Sequence, residues 1–237
     1  MTSTTLLHLD SSISPSGSVS HALTARFADA WRARHGARVQ HRYRDLAADP
    51  VPPVRAAYDA LGRRTERKGV LPLDDIGRLA EGPDEAREWA LSRPLIEELR
   101  AADVLLVGSP MYNYTVSAGL KSWIDRVTFP GVHHDPETGE PLLRDTRVVV
   151  VAVRGGGYGP GTPRAHCDFQ VPYLRAYFDR IGVAAEHLHV VTAELTRAAD
   201  IPALNAFQPL AAESLAAAEA AVDELAATLQ SPPAAAG

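Results

Sequence analysis

Short runs that are apolar at successive positions alternate along this chain with longer stretches in which apolar residues recur every three or four positions. The short runs are residues 4–9, 103–107 (DVLLV) and 147–153 (RVVVVAV), with weaker ones at 39–43 and 188–191. A strand apolar on both faces belongs in a parallel sheet covered by helices on each side. The longer stretches predict those helices. Residues 18–35 place Leu23, Phe27, Ala30 and Trp31 on one face, behind serines suited to an N-cap. Residues 85–101 carry Trp89, Leu95, Ile96 and Leu99; residues 116–127 carry Leu120, Trp123, Ile124 and Val127. Residues 168–181 carry Val171, Leu174, Tyr177, Phe178 and Ile181, and Leu215, Val222 and Leu229 recur at seven-residue steps near the C-terminus. Whether the face Leu120–Trp123–Val127 is core or interface stays open at this level.

Five strands alternating with five helices predict a doubly wound α/β fold with a parallel sheet. Residues 50–84 break the rhythm: they are rich in Pro, Gly, Arg and Asp and too long for an ordinary helix-to-strand connection. They read as an insertion with local helix, a lid or dimer contact being two uses for it. Residues 1–230 otherwise read as one domain, and the tail 231–237, SPPAAAG, is predicted to be disordered.

Composition narrows the class. A chain of 237 residues, 46% hydrophobic, suits one domain with a real core. A net charge of −5 without a basic stripe predicts no nucleic-acid partner. No apolar run approaches the roughly 20 residues of a bilayer span, so no membrane partner is expected. The start, MTSTTLLHLD, has no basic segment followed by a long apolar one, and no signal peptide is predicted. The single cysteine, Cys167, permits no internal disulfide and fits a reducing cytoplasm.

In open α/β sheets ligands bind beyond the carboxyl ends of the strands, where strand order reverses. Three loops leave strand ends there: 10–20 (DSSISPSGSVS), 108–119 (GSPMYNYTVSAG) and 153–161 (VRGGGYGPG). The first loop opens a helix, holds six serines and has no Lys or Arg, which suits an anion held by neutral donors. The alternative is that Ser18 merely caps the helix and the other serines are solvated. The dinucleotide pattern GxGxxG and the P-loop pattern GxxxxGK[ST] are absent, and no cysteine nucleophile sits in this loop. A mononucleotide phosphate remains, as in a flavodoxin-like FMN site. Met111, Tyr112, Asn113 and Tyr114 offer the aromatic, thioether and amide groups that a flat flavin ring needs, unless Met111 and Tyr114 are core and Asn113 only makes a turn. The third loop's glycines permit close backbone approach, or simply make a turn. The common location of all three loops favours a site.

On these residues the chain resembles the FMN-dependent NADH-azoreductase family, flavodoxin-like enzymes that also reduce quinones. The matching pieces are LDSSISPSGSVSHALTARF, ADVLLVGSPMYNYTVSAGLKSWIDRV and VRGGGYGPG, in the family's order, over residues 6–205. The resemblance implies a five-stranded parallel sheet in the order 2-1-3-4-5 with helices on both faces. It implies bound FMN, NADH or NADPH as electron donor, ping-pong transfer to a quinone or azo compound, and a homodimer with the active site at the subunit junction. By position, Ser12, Ser18, Val19 and Ser20 resemble contacts to the phosphate end. Met111, Tyr112, Asn113 and Tyr114 resemble the wall along the ring, and Val153, Arg154, Gly155 and Gly156 the loop at its other edge. Two features depart from the pattern: Val153 stands where the family often has Ser, and FPGVHHDPETGEP replaces its Gly-x-Thr-Phe element. The cofactor carries the chemistry in such enzymes, so no catalytic acid or base is assigned; Tyr112, Tyr114, His133 and His134 are candidates for proton supply. A flavodoxin-type electron carrier without nicotinamide turnover is the main alternative, a flavin-free interaction protein a third.

Other tempting residues have plainer readings. His133-His134-Asp135 lacks a completing cluster for a metal and reads as a solvated loop. His187 and His189 share one strand face and read as surface or partner contacts. His166-Cys167-Asp168 reads as a passive thiol before a helix, because sequence neighbours rarely face each other. The run RRTERK, 63–68, reads as a solvated face able to attract a nicotinamide's phosphates.

Overall fold

Every residue of the first and third strands is buried, and the fourth is buried apart from its first residue, as strands covered on both faces must be. The computed structural model describes residues 3–230. In chain order the elements are β1 (Thr4–Asp10), α1 (Val19–His35), β2 (Val39–Asp45), α2 (Ala56–Glu66), α3 (Leu73–Arg78), α4 (Pro83–Arg100), β3 (Val104–Pro110), α5 (Ala118–Val127), β4 (Arg147–Val153), α6 (Val171–Arg180), β5 (Leu188–Ala193) and α7 (Gln208–Thr228). The five strands are parallel in the order β2-β1-β3-β4-β5. This is the predicted doubly wound sheet, with the reversal of strand order between β1 and β3.

Alternate residues of each strand feed two separate cores. Leu7, Leu9, Leu105, Val107, Val148 and Val150 pack with α4, α5 and α6, while Leu6, Val104, Leu106, Val149 and Val151 pack with α1 and α7. The face Leu120–Trp123–Val127 belongs to the first core and is not surface. The segment 50–84 folds as α2, α3 and the start of α4. Its Leu61 and Ile76 are buried with Trp89 and Phe129 in that same core. Two helices there exceed the single-helix rhythm because tertiary packing sustains them; α3 is only 6 residues long, too short to persist alone.

What fastens this segment is a buried cation. Arg126 is fully buried and donates from Nη1 to Glu88 Oε2 at 2.6 Å, from Nε to the Pro52 carbonyl at 2.8 Å and from Nη2 to the Pro53 carbonyl at 2.9 Å. Its guanidinium also lies 5.7 Å from the centre of the Tyr58 ring. No described helix is long and apolar enough to cross a membrane. The tail 231–237 lies outside the described residues.

Candidate functional site

The carboxyl ends of β1, β3, β4 and β5 open onto a crevice formed by their loops. At the β1 end, Ser18 caps α1: its hydroxyl accepts from the His21 N–H at 3.4 Å, and it lies 3.1 Å from the Ser20 hydroxyl. Capping and site-lining therefore coexist, because a hydroxyl that accepts one bond still has a proton to donate. The N–H groups of Val19 and Ser20, in the first turn of α1, find no intramolecular acceptor among the described residues. Both residues line a cavity of about 280 Å³, together with Ser12, Ser14, Gly17 and Ser18. Free amides at a helix start, together with serine hydroxyls, form a donor set suited to a phosphate dianion.

Behind this loop lies a buried polar cluster. Asp10 accepts from Thr24 Oγ1 at 2.9 Å and from the Tyr43 hydroxyl at 3.1 Å, and its Oδ2 lies 3.3 Å from His8 Nε2. Burial alone would raise the Asp10 carboxyl, but the facing His8 ring and the Thr24 hydroxyl outweigh it and hold the pKa below the usual carboxylate range. Gly108 leaves the room that this carboxylate fills; a side chain there would strike Asp10 Oδ1. Ser11 donates to the Gly108 carbonyl at 2.8 Å, which joins the β1 and β3 ends.

The β3 loop makes a tight turn. Tyr112 and Thr115 exchange backbone hydrogen bonds of 2.9 and 3.2 Å, and the two residues between them have positive φ, 48° at Asn113 and 74° at Tyr114. That is the backbone of a type I′ turn. Asn tolerates it; Tyr does not without strain, and such strain concentrates at functional sites. The turn holds Tyr114 out into the crevice, edge-on to Tyr158 at 6.2 Å. The Tyr112 hydroxyl accepts from the Ile13 N–H at 3.1 Å and lies 3.4 Å from Ser12 Oγ, bridging the first two loops. Met111 and Tyr112 line three adjoining cavities: the serine-lined one, one of about 350 Å³ that also touches Asn113, Tyr114, Gly155 and Gly156, and one of about 820 Å³ on the α5 side.

Most residues singled out in the sequence therefore meet here. Ser12, Ser18, Val19, Ser20 and Val153 line the serine-rich cavity; Met111, Tyr112, Asn113, Tyr114, Gly155 and Gly156 line the neighbouring one. Arg154 differs. Its side chain is 3% exposed and turned into the protein. It donates to Glu194 Oε1 and Asp168 Oδ2 at 2.8 Å each and to Gln170 Oε1 at 3.3 Å. Gln170 passes the connection on to the Ser109 carbonyl at 2.8 Å, Glu194 accepts from the Tyr158 N–H at 2.9 Å, and Asp168 accepts from the N–H groups that open α6. Arg154 thus ties the β3, β4, β5 and α6 ends of the crevice together, and its backbone N–H and carbonyl are themselves bonded to Ala193 and Thr196.

The histidine readings change too. His133 is buried, not solvated, and burial pushes its pKa down to about 4, with Arg100, His134 and Arg180 adding repulsion. Arg100 and Arg180 end α4 and α6, which return toward the starts of the strands, so His133 sits at the far end from the crevice and does not supply protons there. No group of three or more His, Cys, Asp or Glu among the described residues could hold a metal ion. In the run 63–68, Arg63 pairs with Asp59, and Arg64 with Glu81 and Glu85.

Arg197 is not among the residues that the sequence singles out. It follows β5 and lines both the serine-rich cavity and its neighbour, so the crevice is not without a cation. The signal was available: β5 also ends at the crevice, and its loop belongs with the other three.

A family model described as Flavodoxin-like fold matches residues 4–229. An FMN-dependent NADH:quinone oxidoreductase of Nocardia farcinica is 44% identical over 202 residues, 85% of this chain and 88% of that protein. An azoreductase from Bacillus anthracis str. Sterne superposes with a TM-score of 0.75 at 20% identity, over 94% of this chain and 98% of the other. An FMN-dependent NADH-azoreductase from Bacillus anthracis str. Ames Ancestor, solved in complex with FMN, superposes with a TM-score of 0.73 at 18% identity, over 95% and 99% of the two chains.

Proposed function

The chain belongs to the flavodoxin-like family, in the branch of the FMN-dependent NADH:quinone oxidoreductases, and from that premise we propose that it is an FMN-dependent NAD(P)H oxidoreductase reducing quinones, azo compounds or both. The observation that carries this reading is the pair of free N–H groups at Val19 and Ser20, set among serine hydroxyls at the reversal of strand order. Ser12, Ser18, Val19 and Ser20 would hold the phosphate of FMN. Met111, Tyr112, Asn113 and Tyr114 would wall its ring, with Val153, Gly155, Gly156 and the Arg154 backbone along the other edge. When bound, FMN would supply two-electron chemistry between a nicotinamide donor and the acceptor.

The protein's own part is positioning and shielding. Glycines at 155 and 156 leave the room into which the Arg197 and Tyr158 side chains pack along that wall. The Asn113 amide and the backbone N–H groups of the crevice offer donors to the electron-rich edge of a reduced ring. The Arg154 network keeps four loop ends in register, which sets the distance between two stacked rings.

A homodimer is part of the proposal. Around the crevice mouth Ile13 is 73% exposed and Phe169 60%, apolar surface that a second copy would cover. A cytoplasmic location fits the lone Cys167, which lies in the turn before α6.

The test is spectroscopic. The purified protein, supplied with FMN and freed of oxygen, should bleach on addition of NADH or NADPH and regain its yellow colour with benzoquinone. A stable colour with no bleaching identifies an electron carrier instead. A protein that refuses FMN overturns both.

A further inference from the structure

Two arginines beside the ring cavity are charged without being employed. Arg164 forms no ion pair or side-chain hydrogen bond among the described residues, while Arg197 reaches only Asp200, at 3.9 Å, with the two side chains 62% and 68% exposed. A pair that long and that exposed is screened by water. Both side chains drape over one dipeptide: a Cβ added to Gly155 would lie 3.1 Å from Arg197 Cδ, and one added to Gly156 3.8 Å from Arg164 Nη1. They line the cavity of about 350 Å³ in which Tyr114 and Tyr158 stand, and no carboxylate among the described residues lines it. Nearby Arg154 is saturated by Glu194 and Asp168, so these two guanidiniums are the cations left for a ligand.

Arg164 also stands on a boundary. Beyond it, sharing Gly156 and Leu204 with the ring cavity, opens an apolar cavity of about 390 Å³ lined by Pro163, Leu195, Phe207 and Leu210. Phe207 and Leu210 keep 43% and 51% of their surface exposed. The order along this track is therefore the flavin-ring cavity, over which a nicotinamide would stack, two guanidiniums without a close carboxylate partner, and the apolar cavity. A nicotinamide dinucleotide has the same order of parts: a flat polar ring, a doubly charged diphosphate and a flat purine. Guanidinium is the side chain whose planar fork matches phosphate oxygens, and two of them oppose the diphosphate's two charges.

We propose that Arg164 and Arg197 grip the diphosphate of the electron donor, and that the cavity of Pro163, Leu195, Phe207 and Leu210 receives its adenine. The inference rests on the nicotinamide-dependent activity argued above, and adds where the donor lies and which side chains select it. It also gives the exposed Phe207 and Leu210 an occupant that is continuous with the site.

Calorimetric titration of the FMN-loaded protein with ADP-ribose, which carries the diphosphate and adenine but no nicotinamide, reads the track without turnover. The Kd should rise about tenfold in Arg164→Ala, less in Arg197→Ala, and about tenfold in Phe207→Ala. Raising salt should weaken binding to the wild type more than to either arginine variant. In rapid-mixing experiments at saturating FMN, the ratio of reduction rates by NADH and by uncharged 1-benzyl-1,4-dihydronicotinamide should fall about tenfold in Arg164→Ala. Arg164→Lys should recover only part of it, because a lysine keeps the charge and loses the fork. A Kd within twofold of wild type in Arg164→Ala, or an equal loss for both donors, overturns the proposal. So does a Leu210→Glu variant that turns a dimer into a monomer in sedimentation yet binds ADP-ribose unchanged, for then the apolar cavity belongs to a second copy. A wild type that neither donor reduces overturns the activity and the track together. A wild type reduced by the uncharged donor but indifferent to Arg164 overturns the track alone.

Discussion

Arg126 and Arg154 are both buried guanidiniums facing carboxylates, yet they hold different kinds of structure. Arg126 directs two of its bonds at the carbonyls of Pro52 and Pro53, a stretch without regular secondary structure, and a third at Glu88 on α4. It fixes the entry into the 50–84 segment to the body of the fold. Arg154 directs its bonds at three side chains from two other segments, the turn before α6 and the end of β5, both at the crevice. One arginine clasps a segment to the core; the other sets the relative positions of loops. Buried ion pairs contribute little net stability compared with apolar groups of the same shape, but leaving one partner alone in the interior is costly. The two sites should therefore resemble each other in stability experiments and diverge in ligand binding.

The largest effect is expected at Arg126. Arg126→Met leaves Glu88, whose side chain is 5% exposed, without its cation, and should cost about 3–5 kcal/mol, lowering Tm by about 10 °C. FMN affinity per folded molecule should stay within about twofold, and adding Glu88→Leu should recover most of the loss. Arg154→Met should cost somewhat less, about 3 kcal/mol, because Glu194 and Asp168 are 18% and 15% exposed and can recover water. Its FMN affinity should fall about tenfold or more, measured by flavin fluorescence, since loop ends displaced by an ångström no longer present their donors together. Equal FMN losses in both variants would erase the distinction.

The same contrast explains what the sequence made readable. Strands such as 147–153 announce themselves because a run apolar on both faces has few places to go, and the serines before Val19 mark a helix start by the chemistry of their hydroxyls. What stayed hidden depends on partners distant in the chain. Arg154 in a glycine-rich loop looks like a ligand contact until folding brings Asp168 and Glu194, 14 and 40 residues away, against it. Arg126, on a helix otherwise read by its apolar stripe, carries no local sign that Pro52 and Pro53 need its protons. Arg197 follows a weak edge strand whose loop has neither serines nor glycines to draw notice. His133-His134-Asp135 looks like a solvated loop because nothing local says that one ring is enclosed.

That enclosed ring gives a pH test at the end opposite the crevice. His133 has a folded pKa of about 4, below the ordinary value of 6.5. Above pH 6.5 the ring is neutral in both states and costs nothing. Between 6.5 and about 4 the unfolded chain takes up a proton that the folded one refuses, so stability falls as pH falls. The loss is complete below about pH 4, at about 3 kcal/mol, with about half of it present near pH 5. Urea unfolding at pH 7 and pH 5 should show a smaller decrease in His133→Phe than in the wild type. FMN affinity of the folded wild type should change no more than that of the variant over this range, because the titrating ring does not reach the crevice. A pH dependence of FMN binding that His133→Phe abolishes would couple the two ends and break the comparison from the other side.

The smallest expected effect lies in the crevice itself, at the turn that carries the ring wall. Asn113 has φ of 48°, a conformation that asparagine and glycine adopt readily and alanine does not. Asn113→Ala should cost about 1 kcal/mol, while Asn113→Gly should stay within about 0.5 kcal/mol of wild type. The pair separates two jobs of one residue. If the amide only shapes the turn, Asn113→Gly keeps the rate at which NADH bleaches the flavin and Asn113→Ala slows it. If the amide donates to the reduced ring, both variants slow alike, and the glycine variant does so with its stability intact. The second pattern is the one expected: the turn at Asn113–Tyr114 projects its side chains into the cavity, and a strained backbone kept only for shape would have no reason to hold Tyr114, at φ of 74°, outside its comfortable range.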